Sequence, residues 1–211
     1  MPKQPASNSE STKDRIIDAA EALIAEFGII GVTFREIGLA AGHNNKSGVQ
    51  YHFGDKVKLV NAILKKRFET LEKMRIDLLD QIQRDGRLET VRACVELLHH
   101  PIAALTDKNG LHTYSKFYMQ YISTMRYDRR IVHPGWVLEP TMTSQKVYGI
   151  LKEILWYIPD SVLRTRTFQS HGILLVALLD YDNAVLHHEP HEPWPEFIDN
   201  VFNVIAAAVK A

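Results

Sequence analysis

The sequence predicts an all-α protein of about nine helices, arranged as a small N-terminal unit and a larger C-terminal unit. Across most of the 211 residues, apolar side chains recur every three or four positions, which is the spacing of one helix face. No segment shows the alternation of apolar and polar residues that is typical of a half-buried strand. Glycines and prolines lie between the apolar runs, where they end helices. With 45% hydrophobic residues, the chain can bury a sizeable core.

The first helix is expected after a polar arm. Residues 1–10 are rich in Pro, Ser and Asn and poor in apolar surface, so we expect a flexible arm there. Ser11 and Asp14 have the spacing of a capping box, which satisfies backbone N–H groups at a helix start. Gly28 supplies the predicted end of this helix. Its apolar face is predicted to consist of Ile16, Ile17, Ala20, Leu23, Ile24 and Phe27.

Two very short helices are expected next. Thr33 and Glu36 have the spacing of a second capping box, which begins a helix of about two turns that ends at Gly42. A polar turn at 43–46 then leads into another short helix that ends at Gly54. The N-terminal unit is therefore predicted to contain three helices, the last two of them short.

Longer helices follow. Asp55 is a candidate N-cap for a fourth helix that extends to about Gly86 and is long enough to connect two domains. Pro101 is expected to kink the fifth helix or to begin a new one. The remaining helices are expected at about 112–127, 141–157, 162–188 and 197–209. We expect a first domain at 11–56, with the fourth helix from Asp55 as connector, and a second domain at 57–211.

The charge balance excludes a polycation that coats nucleic acid indiscriminately. The chain has 25 basic and 25 acidic side chains, with a mild excess of positive charge in residues 1–67. The single cysteine, Cys94, cannot form an internal disulfide, and its apolar neighbours predict a buried thiol in a reducing compartment. No stretch approaches 18 uncharged apolar residues, and the first residues lack the apolar core of a signal peptide. We therefore expect a cytoplasmic protein without a membrane partner.

The second and third helices form a candidate helix-turn-helix motif, joined through Gly42. A recognition helix is short, with a polar outer face that enters a major groove about 12 Å wide and an apolar inner face that packs on its own domain. Val49 and Phe53, four residues apart, are predicted to form the inner face. The outer face is predicted to consist of Asn45, Lys46, Ser47, Gln50 and Tyr51.

Several short motifs follow one another in a fixed order between about Thr12 and Leu64. They are Ile16-Ile17-x-Ala-Ala, Phe27-Gly28, Gly31-Val32-Thr33, Ile37-x-x-Ala40-Ala41-Gly42, Tyr51-His52-Phe53-Gly54-Asp55-Lys56 and Leu59. Taken together, they resemble the N-terminal region of the TetR family of bacterial transcription regulators. Between Gly42 and Tyr51 the chain is one residue longer than the usual pattern, and Gln50 stands where an aromatic residue is common.

The resemblance implies a set of DNA-binding residues. Thr33 would begin the second helix beside a phosphate, with Arg35 in the same helix. Tyr51 and His52 would lie at or near the DNA backbone, and Lys56 would bind another phosphate. Base reading would fall to Asn45, Lys46, Ser47 and Gln50, while Gly48 would let the helix approach closely. An ordinary surface role stays open for His52 and is preferred for Lys58.

In the C-terminal domain the resemblance implies a small-molecule pocket between helices. The aromatic and sulfur side chains that could line it are Tyr114, Phe117, Tyr118, Tyr121, Met125, Trp136, Tyr148 and Trp156. Ordinary helix core is the alternative for each of them. A DNA half-site reader also gains register by pairing across a two-fold axis, so we expect a homodimer. The candidate interface residues, with intrachain core as their alternative, are Leu174, Leu175, Leu178, Leu179, Phe202 and Ile205.

These features predict a ligand-responsive transcription regulator. We expect a repressor that binds a palindromic operator as a dimer and is released by a small apolar or aromatic effector. A small all-helical enzyme or ligand carrier, whose N-terminal helices only mediate protein contacts, is the alternative, and a ligand-free interaction module is a third class. No catalytic triad, phosphate-binding loop or dinucleotide motif occurs, and no cofactor is expected. No metal site is expected either, because Pro190 breaks the helix that would align His187 with His191.

Overall fold

The computed structural model describes residues 11–42, 47–125, 128–130 and 143–211. Within these ranges the chain forms nine helices and no strand, as the sequence predicts. They are α1 (Thr12–Gly31), α2 (Phe34–Ala40), α3 (Ser47–Phe53), α4 (Lys56–Arg84), α5 (Val91–Ala103), α6 (Thr113–Thr124), α7 (Thr143–Ile154), α8 (Asp160–Leu186) and α9 (Trp194–Lys210). The predicted arm at 1–10 and the polar turn at 43–46 lie outside the described residues.

Helix α1 begins as predicted and bends where its end was expected. The Ser11 hydroxyl accepts a hydrogen bond from the Asp14 backbone N–H at 3.1 Å. Gly28 has φ 76° and ψ 159°, a backbone conformation outside the helical region, and one further helical turn follows it. The predicted inward position of Phe27 is wrong. Ile24 and Ala25 of the same turn are buried, but the Phe27 ring lies outside the covered face and is 65% exposed.

Helices α2 and α3 form the expected compact pair. The capping box is complete, since Thr33 Oγ1 accepts from the Glu36 N–H and the Glu36 carboxylate accepts from the Thr33 N–H at 2.7 Å. Val49 and Phe53 are buried, which confirms the inner face of α3. The pair packs on α1 and on the start of α4, and the apolar side of α3 faces these helices.

Helix α4 extends from the N-terminal helices into the C-terminal ones. Its N-cap is Asp55, whose carboxylate accepts from the Lys58 N–H at 2.9 Å. Over its 29 residues it packs first against α1 and α3 and later against α5 and α7. Helix α6 also packs extensively against α1. Two elements therefore link the N-terminal helices with the C-terminal bundle.

The C-terminal helices pack around α5, which contacts α4, α6, α7, α8 and α9. Pro101 lies in the last turn of α5, so no new helix begins there. A proline has no N–H, and the carbonyl of Leu97 therefore lacks its usual helical donor. Arg75 Nε donates to this carbonyl at 3.0 Å. The carbonyl that Pro101 leaves without a helical donor thus links the Arg75 side chain of α4 to the backbone of α5.

The residues predicted for a dimer interface belong mainly to the core of the single chain. Five of them, Leu174, Leu175, Leu178, Phe202 and Ile205, are buried, and Leu179 is half-buried. The prediction is wrong for the buried five because α8 packs on α5, α6 and α9, and α9 packs on α5, so these faces are used within the chain. Val176 on α8 and Val204 on α9 stay 60% and 57% exposed instead.

Candidate functional site

The outer surface of α2 and α3 is formed by polar and aromatic side chains that the core does not use. Thr33 and Arg35 at the start of α2 are exposed, and so is His52 on α3. Tyr51 is 86% exposed, and its ring meets that of His52 edge to face at 5.4 Å. An aromatic ring with this exposure contributes nothing to the core and is accessible to another molecule.

The predicted base-reading residues are only partly within the described chain. Gln50 is exposed, and its Nε2 donates to the carbonyl of Gly54 at 2.5 Å, at the end of α3. A Cβ on Gly48 would meet no atom within 4 Å, so packing inside the chain does not require glycine there. Asn45 and Lys46 lie outside the described residues, and Ser47 begins α3 with its side chain outside the description.

Lys56 has a role that the sequence did not predict. Its ammonium donates to the carbonyls of Ile29 and Ile30, at 2.7 and 3.2 Å, immediately after the bend at Gly28. These carbonyls lie at the end of α1, where helical acceptors lack donors. An ammonium carries three hydrogens, so a phosphate contact by Lys56 is compatible with both bonds.

Buried and exposed ion pairs join the N-terminal helices to the rest of the chain. Arg67 on α4 makes a bidentate contact with Glu21 on α1, with Nε–Oε2 and Nη2–Oε1 distances of 2.5 and 2.8 Å. Glu21 is 3% exposed, and burial raises the pKa of its carboxyl even beside this guanidinium. Lys116 on α6 pairs with Glu26 of α1 at 3.1 Å. Movement of α4 or α6 would therefore act directly on α1.

A cavity of about 890 Å³ lies among α4, α5, α6, α7 and α8. Of the residues predicted to line a pocket, Tyr114, Tyr118 and Tyr148 line it. Phe117 and Tyr121 are fully buried on another side of α6 and do not line it. The other lining residues are Phe68, Leu71, Arg75, Leu98, Ile102, Ser144, Gln145, Asp160, Ser161, Arg164, Thr165, Thr167, Phe168, Gln169 and His171.

The three other predicted pocket residues lie elsewhere. Met125 is half-buried at the end of α6 and does not line the cavity. Trp156 lies beyond the last residue of α7 and is largely exposed. Trp136 lies outside the described residues. A position after a helix end is not fixed by helical spacing, and this is why the pattern misplaced Trp156.

The closed part of the cavity contains a buried guanidinium. Arg75 is 5% exposed, and besides the Leu97 carbonyl it contacts Glu72, with Nη1–Oε2 at 2.7 Å. The other oxygen of Glu72 accepts from the Thr143 N–H at 2.5 Å. Burial lowers the pKa of Arg75, but arginine remains protonated in proteins. Arg75 is not among the residues predicted from the sequence, although its spacing of three from Glu72 signals an ion pair on one helix face.

Two histidines beside this guanidinium are held neutral by burial. Burial lowers the pKa of His99 and of His171, and the charge of Arg75 lowers both further. Their Nδ1 atoms lie 2.9 Å from the carbonyls of Val95 and Thr167, so each Nδ1 carries the hydrogen. The Ser170 hydroxyl donates to the Thr167 carbonyl at 2.7 Å, and its oxygen lies 2.9 Å from His99 Nε2. Neither ring adds a charge to the cavity near neutral pH.

The open end of the cavity carries an exposed ion cluster. Asp160 lies 3.0 Å from Lys152 Nζ and 2.9 Å from Arg164 Nη2. Hydrogen bonds from these two cations lower the pKa of Asp160 to about 2. The guanidinium of Arg164 also lies 5.3 Å from the ring centre of Tyr148, as a cation–π contact. The only carboxylate among the described lining residues is thus already neutralised.

A further buried histidine, His112, is held by two hydrogen bonds. Among the described residues, no group of three His, Cys, Asp or Glu side chains could hold a metal ion. His112 is buried, with Nδ1 2.7 Å from Asp182 and Nε2 3.0 Å from the carbonyl of Ala103. In the same part of the chain, no helix combines the length and apolar character that crossing a membrane requires.

Comparisons with known proteins identify relatives of this chain. Residues 16–63 match the sequence model of the bacterial regulatory proteins of the tetR family. The HTH-type transcriptional regulator SrpR of Pseudomonas putida is 33% identical over 193 residues, which cover 84% of this chain and 87% of SrpR.

Two solved structures share the fold. The crystal structure of a TetR transcriptional regulator from Legionella pneumophila has a TM-score of 0.54 at 19% identity, over 95% of this chain and 98% of that one. A structure described as the molecular basis for control of antibiotic production by a bacterial hormone has a TM-score of 0.52 at 16% identity, with the same coverage. The all-helical fold with an N-terminal helix-turn-helix is therefore the one that the sequence predicts.

Proposed function

The chain belongs to the TetR family of bacterial regulatory proteins, and from this premise we propose that it is a dimeric repressor. The dimer binds a palindromic operator, and a small apolar or aromatic effector releases it from the DNA. As a member of this family it is a DNA-binding transcription regulator and not an enzyme. The operator, the direction of regulation and the effector are parts of the proposal. We also propose that it acts in the cytoplasm, with a DNA-binding domain at 11–56 and an effector domain at 57–211.

The exposed surface of α3 carries the proposal. Its apolar side packs inward through Val49 and Phe53, while Gln50, Tyr51 and His52 are exposed. A helix of this kind fits a major groove, where Gln pairs with adenine through two hydrogen bonds. Tyr51, His52 and Lys56 are proposed to contact the backbone, and Asn45 and Lys46 to read bases with Gln50. To reach a base, the Gln50 side chain would have to break its hydrogen bond with the Gly54 carbonyl.

A second copy of the chain is the proposed occupant of the exposed apolar surface of α8 and α9. These helices pack side by side, and each leaves a valine more than half exposed, Val176 and Val204. Pairing two reading heads across a two-fold axis places the two α3 helices one turn of DNA apart, about 34–36 Å. The buried leucines of α8 lie in the core of each protomer, beneath this surface. Phe202 and Ile205 of α9 lie there as well.

The proposed effector site is the cavity, and α4 and α6 are the proposed links to DNA binding. Both helices line the cavity, through Arg75 and through Tyr114 and Tyr118, and both contact α1. An effector shifts the equilibrium only if it binds the released state more tightly than the DNA-bound state. A rotation of α4 that opens the cavity would change the separation of the two α3 helices, because α3 packs on its start.

Selection from a random duplex pool tests the proposal. We expect an inverted repeat whose half-sites lie about 10 base pairs apart, centre to centre, or a multiple of that. With the selected duplex, Gln50→Ala should relax the preference at one base pair, and Tyr51→Ala should weaken binding to all duplexes alike. Lys58→Ala, at an exposed position of the same region, is the matched control and should bind as the wild type does. Recovery of no enriched sequence would contradict the proposal.

A further inference from the structure

The charge distribution of the cavity suggests more about the ligand than that it is apolar. We propose that the effector is an aromatic weak acid, bound with its anionic group at Arg75 and its ring against Tyr114 and Tyr118. The inference rests on the proposed effector site, and it assigns a chemical class and an orientation to the molecule that fills it.

Arg75 offers hydrogen-bond donors that the described chain does not use. Its Nε donates to Leu97 and its Nη1 to Glu72, while Nη2 donates to no residue of the ranges described. A guanidinium has five N–H groups, so those of Nη2 are available to an acceptor in the cavity while the side chain as a whole is only 5% exposed. A carboxylate or another anionic oxygen in the cavity would accept from them, and the planar fork suits two parallel hydrogen bonds.

Among the described residues, no other group in the closed part of the cavity offers a positive charge to an anion. His99 and His171 are neutral there, since burial disfavours their protonated forms. Glu72 balances the charge of Arg75 but uses its oxygens on Arg75 and on the Thr143 N–H. Among the described lining residues the single carboxylate is Asp160, at the open end and already between two cations. Within the described lining, a lipophilic cation would therefore find no unpaired carboxylate, whereas an anion finds the preorganised donors of Arg75.

Two tyrosine rings and three aliphatic side chains line the same part of the cavity. The rings of Tyr114 and Tyr118 are 5.7 Å apart and nearly parallel, at 8°, and both line the cavity. Leu71, Leu98 and Ile102 are buried beside them. Aromatic ligands stack or pack edge to face on such rings and gain from the apolar area they bury. A ring that carries an acid group matches both features at once.

Calorimetric titration at pH 7.5, without DNA, tests the inference with three probes of one shape: 2-naphthoate, 2-naphthamide and 2-naphthylmethylammonium. For the wild type we expect the carboxylate to bind roughly tenfold to a hundredfold more tightly than the amide, the range of a charged hydrogen bond, and the ammonium to bind weakest. Arg75→Gln should abolish the preference for the carboxylate. Glu72→Gln, which keeps the shape and removes the balancing charge, should raise the preference on the order of tenfold.

Each result supports the inference or overturns it. Equal binding of ammonium and carboxylate to the wild type would overturn it, as would a preference that both variants leave unchanged. Absence of binding by all three probes at their solubility limits would overturn it as well, because a cavity of about 890 Å³ has room for each. Where Arg75→Gln does not fold, Glu72→Gln alone decides. Since no DNA is present in this titration, its failure and a failure of the duplex selection, which tests the proposed function, are distinguishable.

Discussion

Arg75 on α4 donates to the carbonyl of Leu97 on α5, the acceptor that Pro101 leaves without a helical donor. This contact places a guanidinium inside the bundle and ties the connector helix to the helix at its centre. The position of the charge in the cavity thus depends on a proline in a different helix. Helix α4, which begins beside α3, also carries the buried cation of the proposed effector site.

Gly28 offers a test of how α1 is held against α6. A Cβ on Gly28 would lie 3.3 Å from Gln120 Oε1, and its φ of 76° strains any other L residue. Gly42 has nearly the same φ, 77°, with no atom within 4 Å of a Cβ. We expect Gly42→Ala to cost about 1–2 kcal/mol of unfolding free energy, and Gly28→Ala to cost more.

Urea unfolding of both variants, and of each combined with Gln120→Ala, measures the difference. Gln120→Ala should recover part of the loss in Gly28→Ala and none in Gly42→Ala. Equal losses in the two glycine variants, unaffected by Gln120→Ala, would show that α6 does not press on the bend.

Removing one partner of the Glu21–Arg67 pair should destabilise the fold much more than replacing both partners by apolar side chains. Arg67→Met leaves the Glu21 carboxylate buried without its partner, so we expect a loss of about 3 kcal/mol. Glu21→Leu combined with Arg67→Met should recover most of that loss, because two apolar side chains replace two charges. Lys66→Met, which breaks the more exposed pair with Asp18, should cost less than about 1 kcal/mol. Urea unfolding measures all three, and a double variant no more stable than Arg67→Met would contradict this expectation.

Stability should fall below about pH 6.5 because of the two buried histidines. Burial lowers the pKa of His99 and His171 in the folded chain from the ordinary 6.5, so below that value the unfolded chain binds more protons than the folded one. Their stabilising effect is thus present above pH 6.5 and is lost as the pH falls. The slope is at most about 1.4 kcal/mol per pH unit for each histidine.

The measurement is the unfolding free energy at pH 7.5, 6.5 and 5.5, for the wild type and for His99→Gln combined with His171→Gln. The difference between the two proteins isolates the contribution of the histidines, because both proteins have the same carboxylates. The variant should show the shallower decline with falling pH. Parallel curves would mean that the histidines do not titrate on unfolding.

The oligomeric state should depend on the exposed valines of α8 and α9. A carboxylate at Val176 or Val204 would be buried against a second copy without a partner, so Val176→Glu or Val204→Glu should convert the dimer to monomer. Ile76→Glu on α4, at a similarly exposed apolar position outside this surface, is the control. Sedimentation equilibrium gives the masses. A dimer that survives both valine substitutions would place the contact elsewhere.

Local signals predicted the helices well. Capping boxes at Ser11 and Thr33 and the N-cap at Asp55 fixed three helix starts, because each depends only on residues within one turn. Helical spacing also identified the inner face of α3. It failed for Phe27, since helical spacing alone does not say how far round the helix the covered face extends.

The candidate site was harder to predict, because its residues come together across the chain. Tyr114, Tyr118 and Tyr148 were recognised from aromatic character, but Phe117 and Tyr121 have the same character and spacing and face the core. Leucines such as Leu174 and Leu178 could equally be core or interface until α5, α6 and α9 are seen to cover them. Arg75 was missed because the carbonyl that holds it depends on Pro101, far away in the sequence.

The most direct test of sequence reading by α3 compares two dissociation constants, one for a scrambled duplex and one for the selected inverted repeat. Fluorescence anisotropy at about 150 mM salt gives both, and their ratio measures specificity. The salt matters because non-specific binding to phosphates grows as it is lowered. We predict a ratio of about 1,000 or more that falls sharply in Gln50→Ala. A ratio near one for the wild-type dimer would contradict sequence reading by this helix.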